Sequence, residues 1–164
     1  MAQGLFPENP GARPLFSSSE SGLATGGSAA QPLTHLLDTQ VCVSILRGQP
    51  ASQMRMAAHR PSDLGVSMVT GFELYSGVEA CRFPAKELAR VELFLSPLIL
   101  IPFDQEAARS AAGVRQRLEK QGRRIGPYDL LIAGQAITLD VILVTHNLRE
   151  FARVPGLRCE SWES

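Results

Sequence analysis

The chain has 164 residues, 45% of them apolar, with 16 basic and 16 acidic side chains and 3 cysteines. That length suits one domain plus a tail, and the apolar share supports a packed core without a disulfide framework. A formal net charge of zero gives no whole-chain signal for nucleic acid, and no apolar run nears the ~18–20 residues of a membrane-spanning helix. Cys42, Cys81 and Cys159 are far apart and lack zinc spacing. They read as small buried hydrophobes of a reducing compartment, so the expected location is cytoplasmic, with no membrane partner.

Residues 1–30 are rich in Gly, Pro and Ser and show no sustained periodicity. They read as a disordered or loosely attached N-terminal extension, without the basic start and apolar stretch of a secretory signal. From residue 31 to 164 the pattern is that of one folded domain. Leu33–Leu37 is expected as a first strand, and Asp38–Arg47 as a helix stopped by Gly48. Ala51–His59 makes a second helix that ends before Pro61. Leu64–Met68 reads as a strand, and Thr70–Ala80 and Pro84–Leu95 as helices. Leu98–Ile101 is the third strand. A long helix, Asp104–Gln121, is capped by Asp104 and stopped by Gly122. Pro127–Leu139 is helical, Val141–Val144 is a fourth strand, and Leu157–Glu160 is a short edge strand. Strands separated by helices imply an α/β fold with a central parallel sheet of four to five strands.

The acidic residues fall at recurring places in this pattern. Asp38 closes the first strand, Glu73 follows the second, and Asp129 lies in the first turn of the helix behind Gly126-Pro127-Tyr128. After the fourth strand, Thr145-His146-Asn147 carries an amide where a carboxylate would complete the set. Each has a plain capping explanation, and Glu73 stands at capping-box spacing from Thr70. Together they have another meaning. The carboxyl ends of parallel strands form the ligand-binding edge of such a sheet, and oxygen donors gathered there suit Mg²⁺ or Mn²⁺. Two carboxylates ~4 Å apart repel by ~4 kcal/mol at an effective dielectric of 20, a cost that capping alone gives no reason to incur. The pattern points to metal-assisted phosphodiester hydrolysis.

These residues resemble a known family. Leu36-Leu37-Asp38-Thr39 with Ser44-Ile45-Leu46-Arg47-Gly48 looks like the opening of PIN-domain ribonucleases of the VapC toxin type. Glu73-Leu74-Tyr75-Ser76-Gly77-Val78 and Ile125-Gly126-Pro127-Tyr128-Asp129 resemble their second and third motifs. Val144-Thr145-His146-Asn147 with Arg149-Glu150-Phe151 resembles the fourth. The resemblance implies a three-layer α/β/α PIN-like domain that cleaves RNA with Mg²⁺ or Mn²⁺ and is neutralised by a VapB-type antitoxin, with homodimerisation on the same basis. It carries over Asp38, Glu73 and Asp129 as metal ligands and Asn147 as a weaker fourth position. The family usually has Asn at the positions of Gln40 and His146, and a loop histidine such as His146 is expected to be solvated.

Arg115, Arg117, Lys120, Arg123 and Arg124 form a basic run leading to Asp129. Arg115, Arg123 and Arg124, with Thr145, are the expected substrate contacts. With Tyr128 the nearest aromatic, little in the sequence supports a stacking platform. Val41, Ile45, Met54 and Met56 on the first two helices are expected to face either the core or the antitoxin. Two rivals stand beside this reading. One is a PIN-like module that binds RNA or protein without cleaving; the other is a doubly wound small-molecule binder, which lacks any glycine-rich phosphate loop.

Overall fold

The computed structural model describes residue 15 and residues 33–163 of the chain. The reading of residues 1–30 as a loose extension therefore lies, Leu15 apart, outside the described residues. Leu15 is partly buried against one of the two core clusters.

Among the described residues, five short strands form one parallel sheet in the order β3-β2-β1-β4-β5. They are β1 (His35–Leu37), β2 (Leu64–Ser67), β3 (Ile99–Ile101), β4 (Ile142–Val144) and β5 (Cys159–Glu160). Leu37 pairs with Val66 on one side and Val144 on the other, so the carboxyl ends of β1, β2 and β4 are level. Side-chain alternation sorts the strands onto two cores. Leu37 and Val144 point into a cluster with α1 (Thr39–Leu46), α2 (Pro50–Ala57), α3 (Met68–Glu79) and α4 (Pro84–Leu95). Leu36 and Leu143 point into a second cluster with α5 (Gln105–Lys120), α6 (Pro127–Leu139) and α7 (Leu148–Phe151). The result is the expected three-layer α/β/α arrangement.

The expected elements are present, with shifted ends where local chemistry decides. The helix α1 starts after Asp38 and α5 after Asp104, because each aspartate accepts a backbone N–H at its own helix start. Gly48 and Gly122, just past the ends of α1 and α5, have φ of 78° and 65°, a conformation that favours glycine. Two short elements, α7 and a 3₁₀ turn at Pro61–Asp63, occupy stretches whose sequence carries no helical periodicity. Trp162 is fully buried, stacks on His59 with 5.2 Å between ring centroids, and donates its N–H to Glu160. It thereby ties the C-terminal strand to the end of α2.

Cys42 is buried and its thiol is pushed well up by desolvation, and burial raises Cys159 to about 11. Both are held protonated at neutral pH; of the three cysteines expected to be buried only Cys42 is, while Cys81 and Cys159 are partly exposed. No helix among the described residues is long and apolar enough to cross a membrane. Val41, Ile45 and Met56 belong to the core, while Met54 is 73% exposed. Of the four apolar residues considered for a partner, only Met54 is free to meet one.

Candidate active site

The sheet order 3-2-1-4-5 reverses direction at β1, and a crevice opens outside the carboxyl ends of β1 and β4 at such a switch point. Asp38 lies there, 2% exposed, immediately after Leu37. Its backbone N–H donates to Val144 O, which ties it to β4. Its Oδ1 accepts the Val41 N–H at 2.8 Å, so the capping role anticipated for it is real. The Thr145 hydroxyl also donates to its carboxylate. Burial pushes Asp38 up to about 6 against these two hydrogen bonds, and the charges of Asp129 and Glu73 push the same way.

Asp129 occupies the first turn of α6, behind Pro127 and without a side-chain cap. It too is raised to about 6, by burial first and then by the charges of Glu150 and Glu73. Two carboxyls shifted upward in one crevice, each feeling the other acids, mark a site where negative charge is concentrated at a cost.

For Glu73 the capping-box explanation fails. The helix α3 begins at Met68 with Ser67 as its cap, the Ser67 Oγ accepting the Val69 N–H at 3.1 Å. Thr70 is therefore inside the helix. Instead Glu73 Oε2 accepts a short hydrogen bond from the Thr39 hydroxyl on α1, one residue after Asp38. A partner on another helix positions Glu73 toward the crevice.

The fourth motif is arranged differently from expectation. The Asn147 side chain donates to Glu150 Oε2, and the Gly126 N–H donates to Glu150 Oε1 at 3.0 Å. Glu150 thus faces Asp129 as the additional carboxylate, with Asn147 as its holder. The signal that could have found it is its position, three residues after Asn147 and one short turn beyond the fourth strand. Thr145, expected among substrate contacts, is fully buried. Its hydroxyl is committed to Asp38 and to the Asn147 N–H at 3.0 Å, so it orients the acids from beneath.

His146 does not reach the crevice and is not solvated. It is 12% exposed and lies 3.3 Å from the Ser44 hydroxyl, 3.5 Å from that of Ser52 and 3.4 Å from Glu163. Successive residues after β4 point to opposite faces, which turns His146 toward α1 and α2. Gln40 is exposed on α1.

Arg115, Arg123 and Arg124 gather around a cavity of about 470 Å³ between the end of α5 and the start of α6, with Leu118, Ile125, Pro127, Leu130 and Leu131. Arg115 is exposed and paired with Glu119 at 2.9 Å. Glu119 also lines the cavity, and Pro127 in its wall is two residues before Asp129.

The donors around the crevice are carboxylate, hydroxyl and amide oxygens, the set preferred by hard divalent cations. Among the described residues no three acidic, His or Cys side chains form a complete metal cage. Mg²⁺ binds oxygen donors and keeps several of its own waters, so a site of few carboxylates can take it. The residues present fit such an ion.

Gly126 controls how Asp129 sits. A Cβ there would lie 3.2 Å from Asp129 Oδ2, tighter than ordinary contact, while the backbone φ of −55° is unstrained. Gly126→Ala should therefore leave the melting temperature nearly unchanged and lower any metal-dependent activity about tenfold, since sub-ångström misplacement of a reacting group is costly. Equal activity in a side-by-side assay would show that Asp129 needs no such room.

The PIN domain family matches residues 35–157. A tRNA(fMet)-specific endonuclease VapC from Shigella flexneri is 38% identical over 130 residues, covering 79% of this chain and 98% of the relative. Ribonuclease VapC2 from Haemophilus influenzae is 35% identical over the same shares. Among solved structures, the DNA-bound VapBC complex from Salmonella typhimurium matches with a TM-score of 0.76 and 37% identity, covering 79% of this chain and 98% of that one. VapBC2 from Rickettsia felis, bound to a promoter DNA fragment, matches at 0.74 with 31% identity over 79% and 99%. With the crevice, the sheet order and these matches in agreement, the chain belongs to the PIN-domain family and, within it, to the VapC type.

Proposed function

We propose that this chain is a Mg²⁺- or Mn²⁺-dependent ribonuclease and the toxin of a VapBC-type pair, acting in the cytoplasm. The observation that carries it is the pair Asp38 and Asp129, both pushed up to about 6 at the carboxyl edge of a parallel sheet, with Glu73 and Glu150 beside them. A structural protein gains nothing from concentrating that charge; a divalent cation neutralises it.

In this reading Asp38, Glu73 and Asp129 hold the ion. Glu150 adds charge and Asn147 keeps it in place. A divalent ion at such a site lowers the pKa of water and stabilises charge on the scissile phosphate. The chain's own residues do the rest. Thr145 and the Val41 N–H keep Asp38 in one rotamer, and Thr39 does so for Glu73. Arg115, Arg123 and Arg124 hold the RNA backbone, a contribution that weakens as salt rises. No covalent nucleophile is required. Residues 31–164 form the catalytic domain and residues 1–30 an N-terminal extension to it. The antitoxin is VapB-like, Met54 offers an exposed apolar contact on α2, and the protein acts as a homodimer.

Relatives named as tRNA(fMet)-specific endonucleases make an initiator tRNA(fMet) transcript the first substrate to try. The purified full chain should cut it with Mg²⁺ or Mn²⁺ and stop on addition of EDTA. Cutting that persists in EDTA would overturn the metal assignment. Binding of the transcript without cutting, with metal present, would favour the non-catalytic PIN-like module.

A further inference from the structure

We propose that Phe72 and Tyr128 form a stacking site for one nucleobase of the RNA, next to the phosphate that is cut. The sequence offered Tyr128 alone; the fold supplies its partner. Phe72 on α3 and Tyr128 on α6 meet with ring centroids 5.6 Å apart and planes inclined at 57°. Both remain open, Phe72 at 53% and Tyr128 at 42%.

Their place is what gives them a role. Phe72 directly precedes Glu73 and Tyr128 directly precedes Asp129, and their ring contact joins α3 and α6 beside those two acids. Large exposed aromatics are costly to leave in water, and every base offers a π-face. The cavity that Arg115, Arg123 and Arg124 line includes Pro127, the residue before Tyr128. A base extruded from its neighbours would sit on the rings while the adjoining phosphate reaches the acids. This rests on the ribonuclease reading, and the occupant it names is a base, not a second protein chain.

The test separates the two claims. A ten-nucleotide single-stranded RNA carrying 2-aminopurine is titrated with the cleavage-deficient D129N protein in Mg²⁺. Stacking should quench its fluorescence, and F72L and Y128L, which keep apolar volume but lose the ring, should abolish most of the quench. Y128F should restore it.

In parallel, the tRNA(fMet) transcript is made with an abasic nucleotide on either side of the mapped cut. F72L and Y128L should raise KM about 5- to 140-fold, the range expected for one stacked base, with little change in kcat. The parent should lose the same factor on one abasic RNA, and the variants should lose nothing further.

Quenching without cutting would sink the ribonuclease reading and leave the stacking site standing. Cutting with no quench, or variant and abasic losses that multiply, would overturn the stacking site. A fall from dimer to monomer mass in F72L by light scattering would reassign the rings to contact between copies and overturn it as well.

Discussion

Replacing Asp129 by Asn should reduce RNA cleavage by at least about 10²- to 10³-fold, the cost of losing one key electrostatic group in an active site. The same change should raise the melting temperature of the metal-free protein at pH 7. The two effects have one origin. The Asp129 carboxyl is raised to about 6 by burial and by Glu150 and Glu73, against about 3.9 in an unfolded chain. Between those values the folded state binds more protons than the unfolded one. Stability is therefore present below about pH 4, falls as pH rises toward 6, and is missing at pH 7.

A tenfold change in proton affinity on folding corresponds to about 1.4 kcal/mol. Asp129 is only half-buried, so solvent screening reduces its share to about 1 kcal/mol. Asn keeps the shape and removes the charge, so that share returns, worth about 3 °C in a domain of this size. Asp38→Asn should behave alike, with a larger gain because Asp38 is almost wholly buried and Asn can still accept the Val41 N–H. Thermal melts in EDTA from pH 4 to 8, beside cleavage assays in Mg²⁺, measure both effects. In the parent, melting temperature should fall over that range, and added Mn²⁺ should restore it at pH 7. Retained cleavage in Asp129→Asn, or a lower apo melting temperature, would remove Asp129 from the site.

The second large effect concerns packing. Gly134→Ala should lower stability by about 1–3 kcal/mol, the usual range for overpacking. Within a helix this exchange normally stabilises by up to about 1 kcal/mol. Here the sign reverses, because a Cβ on Gly134 would fall 2.5 Å from the Cα and N of Ala111. Those are backbone atoms of α5, and no side-chain rotation can move them aside. The helices α5 and α6, which make the most extensive contact between elements, would have to separate. Since α6 carries Asp129 at its start, activity should fall with stability. Gly113→Ala on α5 is the control, because a Cβ there meets nothing within 4 Å. That variant should gain stability. Chemical denaturation of the three proteins measures the contrast, and a Gly134→Ala protein as stable as Gly113→Ala would show that the two helices are not in close contact.

Much of this fold is legible in the chain. Periodicity, proline at helix starts and glycine at helix ends are local signals, and they place the helices α4 and α6 to the residue. The acids at strand ends are legible for a related reason: a residue just after a parallel strand has its edge of the sheet decided by connectivity alone. Asp38 needs only that argument; Glu73 lies six residues beyond β2 and Asp129 follows the helix α5, so the packing of α3 and α6 brings those two to the same edge.

What the chain does not disclose depends on partners distant in sequence. Glu73 looks like half of a capping box until its hydrogen bond to Thr39, 34 residues away, shows what orients it. Glu150 gains its place from Gly126 and Asn147, Thr145 loses its solvent to Asp38, and His146 turns to Ser44 and Ser52. The Phe72 and Tyr128 rings are 56 positions apart in the sequence and adjacent in space. Local pattern determines which elements form and at which end of the sheet their residues fall. The direction each side chain takes there is decided by burial and hydrogen bonding between elements, and these exist only once the layers have packed.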